Sequence, residues 1–140
     1  MVGSMSHALS IAQGIALAQP ERRIWCIDGD GALLMHMGSL VSTAALGTQN
    51  IVHVLLNNSC HESVGGQKTF SENLNIKQIS KAFKFKSYYI IKTKKDMKRK
   101  LKLFLKSSGP SFLEVKIKNQ SLKNLTRPKN LIDIKKKFIK

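Results

Sequence analysis

The sequence has little cysteine, little arginine and no long apolar run, and each shortage argues against a class of protein. Two cysteines in 140 residues, Cys26 and Cys60, are too few for a disulfide framework and lack zinc-site spacing, which predicts a reducing, cytoplasmic location. No apolar run reaches the roughly 18 residues of a membrane span, and the N-terminus lacks the pattern of a secretory signal. Apolar residues still make up 42% of the chain, which is enough for one compact domain.

The formal net charge of +16 is confined to the second half of the chain. Residues 1–70 contain three basic and four acidic side chains, whereas residues 71–140 contain 21 basic and four acidic ones. Of the 24 basic residues 20 are lysines, so the forked arginine contacts that read guanine edges are few. The charge is therefore either a solvated lysine-rich surface or a phosphate-binding one, and a basic nucleic-acid-binding module remains an alternative function.

Helical and strand-like segments alternate along the chain, which is typical of a parallel α/β sheet. The apolar run over residues 23–28 predicts a strand buried on both faces, followed by a Gly-Asp-Gly turn, and residues 51–56 predict a second buried strand. Apolar and charged residues alternate over 113–117, which predicts that residues 112–117 form a strand near a sheet edge with Glu114 on the solvent side. The other predicted elements are helices over 6–18, 38–46, 76–83 and from Thr93, a strand over 88–91, a polar loop over 59–71 and a last helical turn over 131–138.

Two polar motifs follow the two buried strands at the points where these strands end. Gly29-Asp30-Gly31 follows the first strand, and Asn57-Asn58 follows the second. Ligands of open parallel sheets bind beyond the carboxyl ends of the strands, so both motifs are expected at one crevice. Asp30 offers a carboxylate, Asn58 offers an amide oxygen, and the glycines let backbone N–H groups approach an anion, which together predict Mg²⁺ held with a diphosphate. A dinucleotide fingerprint fits poorly, because Leu34 stands at its third glycine position.

With these motifs in place, the sequence resembles the thiamine-diphosphate-dependent decarboxylases, and among them the phosphonopyruvate and sulfopyruvate decarboxylases. The resemblance covers roughly residues 2–118 and is strongest up to residue 67. The stretches that it rests on are Val-Gly-Ser-Met-Ser-His-Ala (2–8), Trp-Cys-Ile-Asp-Gly-Asp-Gly-Ala (25–32) and Leu-Asn-Asn-Ser-Cys-His-Glu-Ser-Val-Gly-Gly-Gln (56–67). It implies a three-layer, Rossmann-like parallel sheet with helices on both faces, truncated at its N-terminus, and decarboxylation of a small 2-oxo acid with thiamine diphosphate and Mg²⁺ as cofactors.

The resemblance also implies a role for each residue that matches the motif of the family. Asp30, the side chain of Asn58 and the backbone carbonyl of Cys60 would bind the metal. Gly29, Gly31 and Ala32 would line the diphosphate. The carbonyl of Gly3 would accept a hydrogen bond from the aminopyrimidine, and Met5 would be the apolar wedge that bends the cofactor.

The histidines and Cys60 have competing interpretations. His61, in the loop after the metal ligands, is either a contact to a phosphate or to the acidic head of the substrate, with Lys68 as a second candidate, or a solvated loop residue. His7 is expected to be structural, and His36 and His53 are expected to be packing residues with satisfied polar groups. If the Cys60 carbonyl binds the metal, its thiol is incidental, and cysteine catalysis is not favoured.

The resemblance further implies that the cofactor site is shared with a second, pyrimidine-binding domain or subunit, which supplies a glutamate for which we find no candidate in this sequence. We therefore expect a fragment or a split subunit that is inactive alone and works in an oligomer, or an inactive remnant of such an enzyme. Residues 1–118 are predicted to form the cofactor-binding domain, and residues 119–140 a lysine-rich tail.

Overall fold

Four parallel strands form a single sheet at the centre of the molecule. The computed structural model describes residues 3–120 and 130–139. The strands lie in the order β1-β2-β4-β3, and every neighbouring pair is parallel. Their bounds are Ile24–Gly29 (β1), Ile51–Asn57 (β2), Ser87–Ile91 (β3) and Ser111–Lys116 (β4). The α/β class and the parallel sheet predicted from the sequence are confirmed.

Helices cover both faces of this sheet, as predicted. The helices are α1 (Ala8–Ala18), α2 (Asp30–Met35), α3 (Ser39–Leu46), α4 (Ile76–Ala82), α5 (Lys94–Lys106) and α6 (Leu131–Ile139). On one face, Ile51 and Leu55 of β2 pack in a core cluster with residues of α1 to α4. On the other face, Val52 and Val54 pack with Phe104 of α5. Because side chains alternate along a strand, β2 is buried from both sides.

The first strand differs from its prediction. β1 lies at one edge of the described sheet, and only Cys26 on it is fully buried. On the face turned toward α5, Trp25 is 41% exposed and Ile27 is 61% exposed. The apolar run was interpreted as a strand covered on both sides, yet no described helix covers this end of the α5 face. The predicted Gly-Asp-Gly turn is also wrong, since β1 ends at Gly29 and α2 begins directly at Asp30.

The last strand was predicted near an edge, and this prediction is wrong as well. β4 lies between β2 and β3, and its first four residues are buried. Glu114, expected on the solvent side, is only 2% exposed. The alternation of charged and apolar residues in this strand therefore marks a buried polar cluster rather than a solvated face.

The start of α5 has the side-chain cap that its sequence predicts, whereas the start of α1 does not. The predicted cap pair of α5 is confirmed, because Thr93 Oγ1 accepts a hydrogen bond from the backbone N–H of Asp96 at 3.1 Å. α1 begins after His7 without a side-chain cap, although Ser4 or Ser6 would have been the expected capping residue. The predicted last turn is present as α6, while residues 121–129 of the predicted tail lie outside the described residues and the tail boundary at 119 stays a prediction.

Candidate functional site

The two polar motifs lie side by side at the carboxyl end of the sheet. Gly29, the last residue of β1, is the register partner of Leu56 near the end of β2. Asp30 and Asn57-Asn58 therefore leave the sheet at the same edge, as the sequence predicted. A loop over residues 59–71 returns across this edge and supplies most of the side chains that contact the two motifs.

Asp30 is a buried carboxylate whose hydrogen-bond donors in the described structure are two hydroxyl groups. Its residue is 2% exposed, and Oδ2 accepts a hydrogen bond from Thr69 Oγ1 and another from Ser71 Oγ at 2.9 Å. Within residues 3–120 and 130–139, no lysine, arginine or histidine forms an ion pair with it. Burying a carboxylate costs free energy of folding unless a cation compensates its charge. The buried Asp30 carboxylate therefore fits a bound metal ion.

The two asparagines occupy different environments. Asn57 is 1% exposed, its Nδ2 donates to Glu114 Oε1 at 3.0 Å, and its Oδ1 lies 2.9 Å from Ser71 Oγ. Asn58 is half-buried and hydrogen-bonds within the loop: its Nδ2 donates to Glu62 Oε2 at 3.0 Å, and its Oδ1 accepts from the backbone N–H of Cys60 at 3.1 Å. The structure thus connects Asp30 to Asn57 through Ser71, and it records no hydrogen bond between Asp30 and Asn58 in the described residues.

The loop is held closed by backbone hydrogen bonds near both of its ends. The N–H of His61 donates to the carbonyl of Gln67 at 2.8 Å, and that of Thr69 donates to the carbonyl of Ser59 at 3.1 Å. Cys60 and Lys68 form an isolated antiparallel bridge. These pairings place Thr69 and Ser71 beneath Asp30 and keep the Cys60 backbone beside Asn58.

His61 lies directly over the Gly-Asp-Gly motif. A Cβ atom added to Gly31 would come within 2.3 Å of His61 Nδ1, so the imidazole ring occupies the space that any larger residue at position 31 would need. His61 Nδ1 is buried and has no hydrogen-bond partner among the described residues. The side chain is therefore a polar group with unused bonding capacity at the predicted diphosphate site.

The remaining residues predicted to contact the cofactor are Gly3, Met5, Gly29 and Ala32. Ala32 is buried in α2 one residue after Gly31, and Gly29 is exposed at the end of β1. Gly3 is exposed with a φ of +71°, and Met5 is half-buried in the segment before α1. The hydrogen bonds of the described residues do not join Gly3 or Met5 to Asp30, so their roles stay predictions.

Two histidines that were expected to be satisfied packing residues are packed but not satisfied. His53 of β2 is 1% exposed and contacts the ring of Phe112 at 4.8 Å, yet neither ring nitrogen has a hydrogen-bond partner among the described residues. Burial lowers the pKa of His53 to about 4, so the ring is neutral at physiological pH. His36 Nδ1 likewise has no partner in the described part of the chain.

The cysteines show no sign of catalytic use. Both are free and buried. Burial, with a smaller contribution from the charge of Asp28, raises the pKa of Cys26 to about 12, so its thiolate is scarce. The incidental role of the Cys60 thiol stays a prediction.

Three residues of this site were not predicted from the sequence: Thr69, Ser71 and Glu114. Thr69 and Ser71 were only part of a polar loop, and nothing in their spacing singles out the two hydroxyl groups. Glu114 carried a usable signal, because a charged residue within an apolar strand of a parallel sheet is otherwise rare.

The two described cavities, of about 420 and 320 Å³, are lined by residues at other places in the fold. Among the described residues, no three His, Cys, Asp or Glu side chains converge on a possible metal position. The ligands predicted for the metal are not of these four residue types alone: they are one carboxylate, one amide and one backbone carbonyl. None of the described helices has the length and apolar character needed to cross a bilayer.

Comparison with known proteins agrees with this geometry. Residues 1–115 match the model of the thiamine pyrophosphate enzyme C-terminal TPP binding domain. The chain is 35% identical over 129 residues to a phosphonopyruvate decarboxylase of Streptomyces viridochromogenes, covering 92% of this chain and 32% of that protein. It is 36% identical over 118 residues to the sulfopyruvate decarboxylase subunit beta of Methanothermobacter thermautotrophicus, covering 84% of this chain and 60% of that subunit.

A third relative extends over almost the whole chain. The sulfopyruvate decarboxylase subunit beta of Methanococcus maripaludis is 32% identical over 143 aligned positions, which include 99% of this chain and 74% of that subunit. The chain thus spans about a third of the length of the phosphonopyruvate decarboxylase and a larger share of the beta subunits. With the family model matching most of its length, the chain belongs to the thiamine pyrophosphate enzymes and contains their C-terminal TPP binding domain.

Proposed function

We propose that this chain is the thiamine diphosphate- and Mg²⁺-binding part of a decarboxylase that converts phosphonopyruvate or sulfopyruvate to the aldehyde and CO₂. The main support is Asp30, a buried carboxylate at a strand end whose hydrogen-bond donors are hydroxyl groups. The names of the relatives support the reaction class and the two substrates. Their match to nearly the whole chain does not favour the nucleic-acid-binding alternative.

In this proposal Asp30, Asn58 and the carbonyl of Cys60 hold Mg²⁺, and the metal holds the diphosphate. The backbone of Gly29, Gly31 and Ala32 lines the diphosphate, since small residues allow close approach there. Gly3 and Met5 contact the pyrimidine side of the cofactor. When bound, thiamine diphosphate supplies an electron sink for the pair released as CO₂ leaves.

His61 is the group of this chain that we assign to the acidic head of the substrate or to a phosphate. Its ring lies over Gly31 and has an unused nitrogen, so it can donate a hydrogen bond to a phosphonate, a sulfonate or a diphosphate oxygen. Lys68, exposed at the bridge with Cys60, is a second cation on the same loop.

A second domain or subunit is part of the proposal. Among the described residues, no hydrogen bond joins a glutamate to Gly3 or Met5, the residues assigned to the pyrimidine side. Two relatives are named subunit beta, which supports a partner chain. We propose a pyrimidine-binding partner in an oligomer, located in the cytoplasm, where the two free cysteines stay reduced.

The proposal is tested with the chain co-expressed with its pyrimidine-binding partner, for which the neighbouring reading frame is the first candidate. Calorimetry is expected to detect thiamine diphosphate binding that requires Mg²⁺, and the assay is release of CO₂ from phosphonopyruvate and, separately, from sulfopyruvate. Asp30→Ala is expected to abolish both, while Asp96→Asn, a carboxylate change in the first turn of α5, leaves them intact. Absence of binding by the wild-type complex would overturn the proposal, and decarboxylation by Asp30→Ala would overturn the metal assignment.

A further inference from the structure

Glu114 is the centre of a buried polar cluster that no step of the proposed function uses. Its carboxylate is enclosed between three strands and accepts from one donor on each of them. Asn57 Nδ2 of β2 lies 3.0 Å from Oε1, Lys116 Nζ of β4 lies 2.8 Å from the same oxygen, and the Tyr88 hydroxyl of β3 donates to Oε2. The cluster explains why a carboxylate is tolerated at 2% exposure inside the sheet.

This cluster fixes the direction of the Asn57 side chain. An amide has a donor end and an acceptor end, and the carboxylate of Glu114 can accept only from the Nδ2 end. Oδ1 of Asn57 must therefore face the loop, where it lies 2.9 Å from Ser71 Oγ and 3.3 Å from Ser59 Oγ. Glu114, together with the Ser59 backbone N–H that donates to Oδ1 at 3.2 Å, thus sets which group Asn57 presents to Ser71.

The Ser71 hydroxyl has one proton and two acceptors at equal distance, with the Ser59 hydroxyl farther away at 3.2 Å. Ser71 Oγ lies 2.9 Å from Asn57 Oδ1 and 2.9 Å from Asp30 Oδ2, and all three residues are 1–2% exposed. The proton can be donated to Asp30 while the carboxylate lacks a cation. When a cation binds that carboxylate, the same proton can turn to Asn57, so the hydroxyl keeps a partner in both states.

We infer that Glu114 is a positioning residue for cation binding at Asp30, acting through Asn57 and Ser71. This inference rests on the proposed function. Without the acceptor at position 114, only the Ser59 N–H and hydroxyl, at 3.2 and 3.3 Å from Oδ1, oppose a rotation of the Asn57 amide that points Nδ2 at Ser71. Ser71 then accepts from Asn57 and continues to donate its own proton to Asp30. This hydrogen bond competes with the cation for the carboxylate.

The test compares two substitutions of Glu114 in the complex with the partner. Glu114→Met keeps the length of the side chain and removes the acceptor. Glu114→Gln retains an oxygen that can accept from Asn57, while its amide group donates to the Tyr88 oxygen. The measurement is the Mg²⁺ concentration that half-saturates thiamine diphosphate binding in calorimetry. Glu114→Met is expected to raise it about tenfold, as for other groups that orient metal ligands, and Glu114→Gln is expected to stay close to wild type.

Ser71→Ala makes the mechanism itself testable. Because the effect of Glu114 passes through the Ser71 proton, Glu114→Met is expected to change the Mg²⁺ requirement less than about twofold when Ser71→Ala is already present. Additive effects of the two substitutions would overturn the inference. This comparison also holds if Glu114→Met is less stable, because the double variant carries the same Glu114 change.

Phe104→Leu is the matched control for a general loss of stability. Phe104 is fully buried on the opposite face of the sheet and contacts none of these groups. It is expected to lower the free energy of unfolding without altering the Mg²⁺ requirement, and an equal rise in that requirement would overturn the inference. If the wild-type complex binds no cofactor, the proposed function fails too. If it binds and Glu114→Met binds equally well, only the positioning role fails.

Discussion

The hydroxyl of Ser71 lies 2.9 Å from the carboxylate of Asp30, although 41 residues separate them along the chain. The contact forms because the loop over residues 59–71 folds back across the carboxyl edge of the sheet. Together with Thr69, Ser71 determines the position of a carboxylate that local sequence alone places only at the end of a strand. Residues that orient a metal ligand in this way are expected to matter nearly as much as the ligand itself.

Thr69→Val tests the second hydroxyl group on Asp30. Valine matches threonine in shape and removes the hydroxyl, which donates to Asp30 and accepts from the backbone N–H of Ser71 at 3.3 Å, so the carboxylate is expected to lose part of its orientation. The Mg²⁺ concentration needed for thiamine diphosphate binding should rise about tenfold. Thr43→Val is the control, because Thr43 is equally buried and donates within α3 to Ser39. An unchanged Mg²⁺ requirement in Thr69→Val would show that this hydrogen bond plays no part in cation binding.

Gly31→Ala tests the placement of His61. The new methyl group would lie 2.3 Å from Nδ1, so the imidazole ring has to move away from the motif. If that ring contacts the substrate, Gly31→Ala and His61→Ala should each reduce kcat/KM by about tenfold to a hundredfold, and the double variant should be no worse than the more impaired single variant.

Gly38→Ala serves as the control for Gly31→Ala, since nothing lies within 4 Å of a Cβ at that position. Full activity of His61→Ala, measured as CO₂ release, would remove His61 from the site.

The buried His53 is expected to make the free energy of unfolding depend on pH. The folded protein holds its pKa at about 4, against an ordinary value of 6.5, because the neutral ring is buried without a partner. The unfolded chain therefore binds more protons between these two values, so the contribution to the free energy of unfolding is complete above pH 6.5 and is lost as the pH falls toward 4.

The expected loss from this group is on the order of 3 kcal/mol. Urea unfolding of wild type and His53→Leu at pH 7 and pH 4.5 measures it, and the loss on acidification should be smaller in the variant. Equal losses would show that His53 does not titrate on unfolding.

Alanine substitutions at two glycines are expected to change the free energy of unfolding in opposite directions. At Gly109 a Cβ would lie 2.2 Å from the carbonyl oxygen of Ile51 and 2.8 Å from that of Gln49, which are backbone atoms. Gly109→Ala is expected to lower the free energy of unfolding by about 3 kcal/mol. Gly14 lies exposed within α1 with open space around it, so Gly14→Ala should raise stability by about 0.5–1 kcal/mol. Thermal unfolding distinguishes these outcomes, and a tolerated Gly109→Ala would contradict the close approach of the two backbones.

Local patterns were sufficient for the elements that depend on neighbouring residues. The cap pair of Thr93 and Asp96 predicted the start of α5, because the donor and acceptor lie within one turn of helix. The apolar run over 51–56 predicted β2, because a strand covered on both faces needs apolar side chains at every position. The strand environments of β1 and β4 were predicted wrongly, since strand order is a property of the sheet and leaves no local trace.

The sequence by itself determined that Gly-Asp-Gly and Asn-Asn follow two apolar runs that form strands, because apolar runs are local properties, whereas the pairing of these two strands is a property of the sheet. Only the tertiary structure decided that Thr69 and Ser71 donate to Asp30, that His61 covers Gly31, and that Glu114 is buried behind Asn57. These contacts join residues far apart in the chain, and their geometry depends on the path of the loop and on the position of β4 between β2 and β3. Hydrogen bonds require atoms within about 3 Å of each other, and only the packed sheet brings these atoms to that distance.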